Sequence, residues 1–319
     1  ELPEYKPALT SANFLLEVQR EVEAGADNRA GHPKRILSVL APVLLERLHG
    51  LGRESQAALA AAFREHLNRK DIMLYARDQT LAAFFAARGI DGSVYQPPND
   101  FWGSYLAVVD TNIAGGKSDA FVDQTIDARI DVDTDGGLLT DVAVTRTHRG
   151  DTATDPWWRT ANKNYLQVFG APGSALVGMT GGDAKAGATS FPDPPDGAAV
   201  NPRLAAIERT LTYLPAVPAW SFQAFGKQAF ATWFTVAAGK RKTLEVRYQT
   251  PNANGDPLVP GTTFTFAFDR QSGVRTSLHV TILAPIGYTW AEARGGAFVI
   301  DESDPPARIV ETLTLVKQQ

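Results

Sequence analysis

Residues 105–121, YLAVVDTNIAGGKSDAF, decide how the chain divides. Leu106, Ala107, Val108 and Val109 make an apolar run of the kind that fills an interior strand, and Asp110, Asn112, Gly115 and Gly116 are residues by which a chain leaves one. Before this stretch the sequence reads helical, and after it the sequence reads β. The polar groups of Asp110, Asn112, Lys117, Ser118 and Asp119 then gather at the carboxyl end of the strand. Binding sites of mixed α/β folds often lie there, so these five are the first candidate ligand-binding residues.

Working toward the amino terminus, three amphipathic helices are expected. The first, residues 10–23, sets Phe14, Leu15, Val18 and Val22 on one stripe after Thr10 as N-cap. The second runs from Pro33 to Gly50 with Pro42 inside it, and the third spans about Glu54 to Asn68 with Leu59, Phe63 and Leu67 at i, i+4 and i+8. Asp71–Ala76 reads as a short strand, and Asp78 caps a helix carrying Leu81, Phe84 and Phe85.

Working toward the carboxyl terminus, Ile126, Ala128, Ile130 and Val132 alternate, as do Val142 and Val144, with DTDGG at 133–137 between them. This is the signature of a β-hairpin. Residues 170–202 hold seven glycines and five prolines with little apolar periodicity, the composition of a linker or loop. Seven short alternating runs follow, near 206–214, 228–237, 242–250, 262–269, 275–284, 296–300 and 307–317. The expected fold class is therefore α+β: N-terminal helices plus a mixed α/β segment, followed by a C-terminal immunoglobulin-like β-sandwich. The expected division is a helical and α/β domain at 1–169, a linker or loop at 170–203 and a sandwich domain at 204–319.

Composition narrows the function classes. With 31 basic and 35 acidic residues spread without long like-charge blocks, the chain carries no electrostatic footprint for nucleic acid. No apolar run is long enough to span a bilayer. The absence of cysteine excludes disulfides, thiolate nucleophiles and cysteine zinc sites. The first residue is Glu1, with no basic leader or apolar signal core after it, so the expectation is a piece of a longer protein.

Several motifs come close to known chemistry. Residues 112–118, NIAGGKS, look like the tail of a phosphate-binding loop, but Thr111 stands where its first glycine belongs. A tight strand-to-helix turn, its lysine and serine solvated or capping, explains the same residues. Asp131, Asp133 and Asp135 with Gly136 open like a calcium loop, yet Val142 occupies the position of the bidentate glutamate, and an Asp-Gly hairpin tip accounts for them equally. No cofactor is therefore expected, with calcium at these three carboxylates as the alternative. The five histidines show no metal-binding spacing, and no GxSxG elbow marks a nucleophilic serine. Trp102, Trp157, Trp158, Trp220, Trp233 and Trp290 could stack on a glycan, although core packing suits most of them. Adjacent Trp157 and Trp158, if on a strand, point to opposite faces.

NFLLEVQREVE, HPKRILSVLAPVLLERL, KDIMLYARDQTLAAFFAARGIDGSV, YLAVVDTNIAGGKSDAFV, NYLQVFGAPGSAL and GKQAFATWFTVAAGKRKTLEVRYQTP together resemble the bacterial domain-of-unknown-function family four-zero-one-two. The resemblance implies the C-terminal part of a membrane-anchored surface protein. The family's upstream domain, distantly similar to LytR-CpsA-Psr wall-polymer transferases, has no counterpart here. The family brings no catalytic residues to carry over. The functional expectation is a non-enzymatic extracytoplasmic module, structural or binding a cell-envelope glycan or a surface protein. The alternative is part of an envelope polymer transferase acting on a polyprenyl-phosphate-linked glycan.

Overall fold

The computed structural model describes residues 5, 8–98, 100–113, 116–183, 197–253, 255–293 and 296–318. By compactness the chain divides into residues 1–65 and 66–319. The first unit contains α1 (Phe14–Ala24), α2 (Ala26–Arg29) and α3 (Arg35–His49), and α4 (Arg53–Asn68) runs from it across the boundary. Its buried core is Val18, Ile36 and Leu40, with Leu9, Val22, Val39 and Val43 packed around them. Helix α1 begins at Phe14 rather than near Thr10 because Asn13 Oδ1 accepts the Thr10 N–H at 2.7 Å and closes a turn first. Pro42 lies within α3, which continues through it.

The second unit opens with α5 (Gln79–Ala87), whose Leu81 N–H donates to Asp78 Oδ1 at 2.9 Å, the expected N-cap. No strand forms at Asp71–Ala76. The N–H groups of Asp71 and Ile72 bond locally to His66 O and that of Leu74 to Ile90 O, which leaves no ladder for a neighbouring strand.

Among the described residues fourteen strands follow: β1 (Gly103–Asn112), β2 (Val122–Val132), β3 (Leu138–His148), β4 (Asn162–Gly170), β5 (Ala175–Thr180), β6 (Thr212–Leu214), β7 (Ala219–Ala224), β8 (Lys227–Val236), β9 (Arg241–Thr250), β10 (Thr263–Asp269), β11 (Arg275–Leu283), β12 (Tyr288–Trp290), β13 (Ala297–Glu302) and β14 (Arg308–Lys317). Between β5 and β6 lies α6 (Pro202–Glu208), which takes the start of the run expected as a strand at 206–214, while β6 forms at its end. Asn201 Oδ1 accepts the Arg203 and Leu204 N–H groups, and Pro202 sits in the first turn, so capping overrides the alternation. Trp157 and Trp158 lie in a 3-10 turn opened by Pro156 instead of on a strand, and Trp158 is buried.

The strands form two mixed sheets, an eight-stranded one in the order β12-β14-β10-β1-β4-β8-β7-β6 and a six-stranded one in the order β13-β11-β2-β3-β9-β5. The chain is thus α+β, with helices first and a sheet-rich region after them. β1 pairs parallel with β10, and β2 parallel with β11. β4 pairs with β8, and β3 with β9. Strands on both sides of residues 170–203 therefore share the same sheets, and the expected boundary there falls inside one sheet system. The inward rows of the two sheets, among them Leu106, Val108, Ile126, Ile130, Val144, Leu166, Phe230, Phe266 and Val280, make one core. Each such side chain contributes roughly 1.5–3 kcal/mol by burial.

Candidate functional site

The expected site residues of the first stretch come together at one end of this core, because side chains on a strand alternate between faces. On β1 the inward row is Leu106, Val108, Asp110, Asn112. On β4 it is Val168, Leu166, Asn164, Asn162, and on β3 Val142, Val144, Arg146, His148. Each row is apolar along the middle of the sandwich and turns polar over its last two positions. Facing rows then meet as a polar layer spanning both sheets.

Arg146 is the centre of that layer and is 1 % exposed. Its Nη1 lies 2.6 Å from Asp110 Oδ2, an ionic contact off the alignment of a hydrogen bond, and its Nη2 lies 3.4 Å from Asp119 Oδ1. Asp119 also accepts Asn112 Nδ2 and Asn162 Nδ2, each at 2.7 Å. Asn162 Nδ2 reaches Ser118 Oγ at 3.0 Å, and Asn164 Nδ2 donates to Asn162 Oδ1 at 2.6 Å. The side chain of Gln271 clamps the Asp110 backbone, accepting its N–H at 2.6 Å and donating to its carbonyl at 2.8 Å. Burial pushes the Asp110 carboxyl above its ordinary pKa and neighbouring Asp119 adds to this, while Arg146 acts in the opposite direction.

The turn beside this layer is held just as firmly. Gly116 has φ +59, and a Cβ there would meet Thr160 Oγ1 at 2.5 Å and Trp157 O at 2.9 Å. Gly150 N–H donates to His148 Nδ1, so Nε2 is the protonated nitrogen that donates to Thr160 O at 2.9 Å. Buried His148 is thereby fixed as one tautomer. Four of the five expected residues, Asp110, Asn112, Ser118 and Asp119, belong to one network. Lys117 is exposed, and its N–H donates to Trp157 O at 3.2 Å. Gly115 lies outside the described residues. Arg146, Asn162 and Asn164 were not anticipated, although the inward alternation through Val142 and Val144 leads directly to Arg146.

The three carboxylates of the hairpin tip are each engaged locally. Arg129 takes Asp131 in a bidentate pair at 2.8 and 3.0 Å, Asp133 Oδ1 accepts the Thr134 N–H, and Asp135 Oδ1 accepts the Gly137 N–H. Among the described residues no set of three histidine, aspartate or glutamate side chains is arranged to hold a metal ion.

A different arrangement lies on the outer face of the six-stranded sheet, where a groove of about 590 Å³ runs over β11, β2, β3, β9 and β5. Strand register sets its rows. Asp301, His279, Asp127, Ala143, Glu245 and Thr180 lie side by side across all six strands, and Val299, Thr281, Arg129, Asp141, Arg247 and Gly178 form the next row. Ala143 and Gly178, the smallest residues of the two rows, make its floor low. Arg247 grips Asp141 through Nε and Nη2 at 2.6 and 2.9 Å. A row of hydroxyls, Ser277, Thr125, Thr145 and Thr243, borders it, with Ser277–Thr125 at 3.2 Å and Thr145–Thr243 at 2.8 Å.

No family model matches the chain. No curated protein matches it either. Among solved structures, a putative nutrient-binding protein from Legionella pneumophila is similar at 11 % identity over 67 % of this chain and 72 % of that one, with a TM-score of 0.34. An M1 zinc metallopeptidase from Deinococcus radiodurans is similar at 12 % identity over 61 % of this chain and 42 % of its own, with a TM-score of 0.23. Likeness at these scores bears on neither ligand nor activity.

Proposed function

We propose that the chain is a non-enzymatic binding module of an extracytoplasmic bacterial surface protein, and that the outer face of its six-stranded sheet takes a neutral, polyhydroxylated ligand, a cell-envelope glycan strand. The surface setting rests on the sequence resemblance. The binding reading rests on one observation, the groove floored by Ala143 and walled by charged side chains, among them the Arg247–Asp141 pair. Its lining carries Asp127, Asp141 and Glu245 against Arg129 and Arg247, so the charge is nearly balanced and neither an anion nor a cation is strongly favoured. Planar carboxylate and guanidinium groups offer paired donors and acceptors, the pattern that vicinal hydroxyls complement. Strand backbones hold all of these groups, the Arg247–Asp141 pair fixes two of them and the Thr180 hydroxyl binds Glu245 before any ligand arrives, which lowers the entropy cost of binding.

The polymer-transferase reading draws less support. At the strand end, Arg146 is committed to two carboxylates, and Asp119 stands next to exposed Lys117, so an arriving phosphate would face a negative group.

The test is binding to an array of soluble bacterial wall polysaccharides, with Ala143→Trp as the partner variant. Binding by the parent protein and at least a tenfold loss in the variant is the expected result. Equal binding by both would remove the groove from the account.

A further inference from the structure

We propose, resting on the glycan reading above, that the ligand is a linear, uncharged polymer several sugar rings long that lies lengthwise along the strands of the six-stranded face. Two further grooves, of about 510 and 760 Å³, flank the central one at the two ends of β2. The outward row of β2 runs through all three. Asp123 and Thr125 line the first, Asp127 and Arg129 the central groove, and Asp131 the last. Outward side chains occur at every second residue, so each outward position from 123 to 131 belongs to one of these grooves and none separates them. The same succession holds on neighbouring strands: Ser277 precedes His279 and Thr281 on β11, and Gln249 follows Glu245 and Arg247 on β9. Eight residue steps of roughly 3.3 Å make the β2 row about 26 Å long. The central groove, by comparison, takes only two outward positions from each of β11, β2, β3 and β9.

The joins between the grooves are polar and suit a chain of hydroxyl-bearing rings. At one, the Ser277 and Thr125 hydroxyls stand 3.2 Å apart, and at the other Arg129 grips Asp131 through two contacts at 2.8 and 3.0 Å. Hydroxyls and a planar guanidinium–carboxylate pair both present donors beside acceptors, the pattern that a sugar edge complements. A compact ligand would use one groove. A linear one uses all three, and each ring seated raises the effective concentration of the next. Charge then sets which polymers fit. Asp131, Asp133 and Asp135 line the last groove, and among the described residues no lysine or arginine lines it. A polymer carrying a phosphate or carboxylate on every repeat brings one of them against these aspartates, and that repulsion selects for uncharged chains.

The experiment is calorimetric titration of the whole chain with oligomers of two, four and six sugars, size-fractionated from the neutral polysaccharides that bind in the array above. A glycerol-phosphate polymer serves as the anionic comparison. Affinity is expected to rise at least tenfold from the disaccharide to the hexasaccharide, with the anionic polymer at least tenfold weaker than the hexasaccharide. Ser277→Trp and Gln249→Trp, at outward positions beyond opposite ends of the central groove, should each weaken the hexasaccharide at least tenfold while the unfolding midpoint stays at the parent's. The length series needs no variant and decides alone if either fails to fold. A disaccharide as tight as the hexasaccharide, a hexasaccharide unmoved by both variants, or a glycerol-phosphate polymer bound as tightly would overturn the lengthwise, uncharged polymer and leave the central groove in place. Failure of the groove reading itself looks different: no polysaccharide binds, or Ala143→Trp changes nothing, and the lengthwise polymer falls with it.

Discussion

Asp110 and Asp269 are both buried carboxylates facing cations, and the fold treats them oppositely. Burial raises the Asp110 pKa despite Arg146. At Asp269 burial also acts upward, but the Tyr95 N–H, Arg308 and Lys70 outweigh it and hold the pKa low. The folded state therefore binds the Asp110 proton more tightly than the unfolded chain does, so its contribution is present below the unfolded value near 3.9 and is lost as pH rises through the native one. For Asp269 the contribution is present above the unfolded value and is lost as pH falls through the lowered native one. Urea unfolding at pH 7 should thus show Asp269→Asn destabilised by about 3 kcal/mol or more, since Lys70 and Arg308 lose their counter-charge. The deficit of Asp110→Asn relative to the parent should shrink between pH 4 and pH 7. A growing deficit would contradict the direction assigned to Asp110. At the adjacent turn, Gly116→Val should cost more than about 1 kcal/mol, because φ is positive and a Cβ meets Trp157 O. Lys117→Ala should leave the unfolding midpoint where it is.

At the scale of the element, the β2–β3 hairpin was legible from alternation and its Asp-Gly tip, and the structure pairs Val122–Val132 with Leu138–His148 throughout. Its aspartates are spent on an Arg129 pair and on turn amides. Excess calcium should accordingly leave the heat-unfolding midpoint unchanged; a rise of several degrees would return the three carboxylates to a metal role. Asp110, Asn112, Ser118 and Asp119 were also legible, because polar residues interrupt an apolar run. Arg146, Asn162 and Asn164 were not, since each lies on another strand and only register brings it to Asp119. The strand expected at Asp71–Ala76 failed for the complementary reason: apolar composition cannot say whether a partner ladder exists.

At the scale of the whole molecule, sequence shows where strands are and not which ones meet. β1 and β10 lie about 160 residues apart in the chain and pair directly, from Gly103 opposite Thr265 to Leu106 opposite Phe268. A division at 170–203 looked natural because Gly/Pro-rich composition marks a break in periodicity, but it carries no information on the pairings that bridge it. A protease site inserted after Gly197 and cut should therefore yield two fragments that co-elute on native size exclusion and separate only in denaturant. Separation under native conditions would show that the bridging pairs β4–β8 and β3–β9 do not hold the sheets together. Four of the five candidate residues are joined in one hydrogen-bonded network at the strand end, whereas the proposed glycan would meet the groups that point outward on the six-stranded face. Amide chemical-shift mapping during titration with soluble wall-glycan oligomers tests that face most directly. The account predicts saturable shifts centred on Ala143, Thr281, Gly178 and Arg247, with the amides of Asp110 and Asn162 unmoved. Shifts centred instead on Lys117 and Asp119, or none at all, would contradict it.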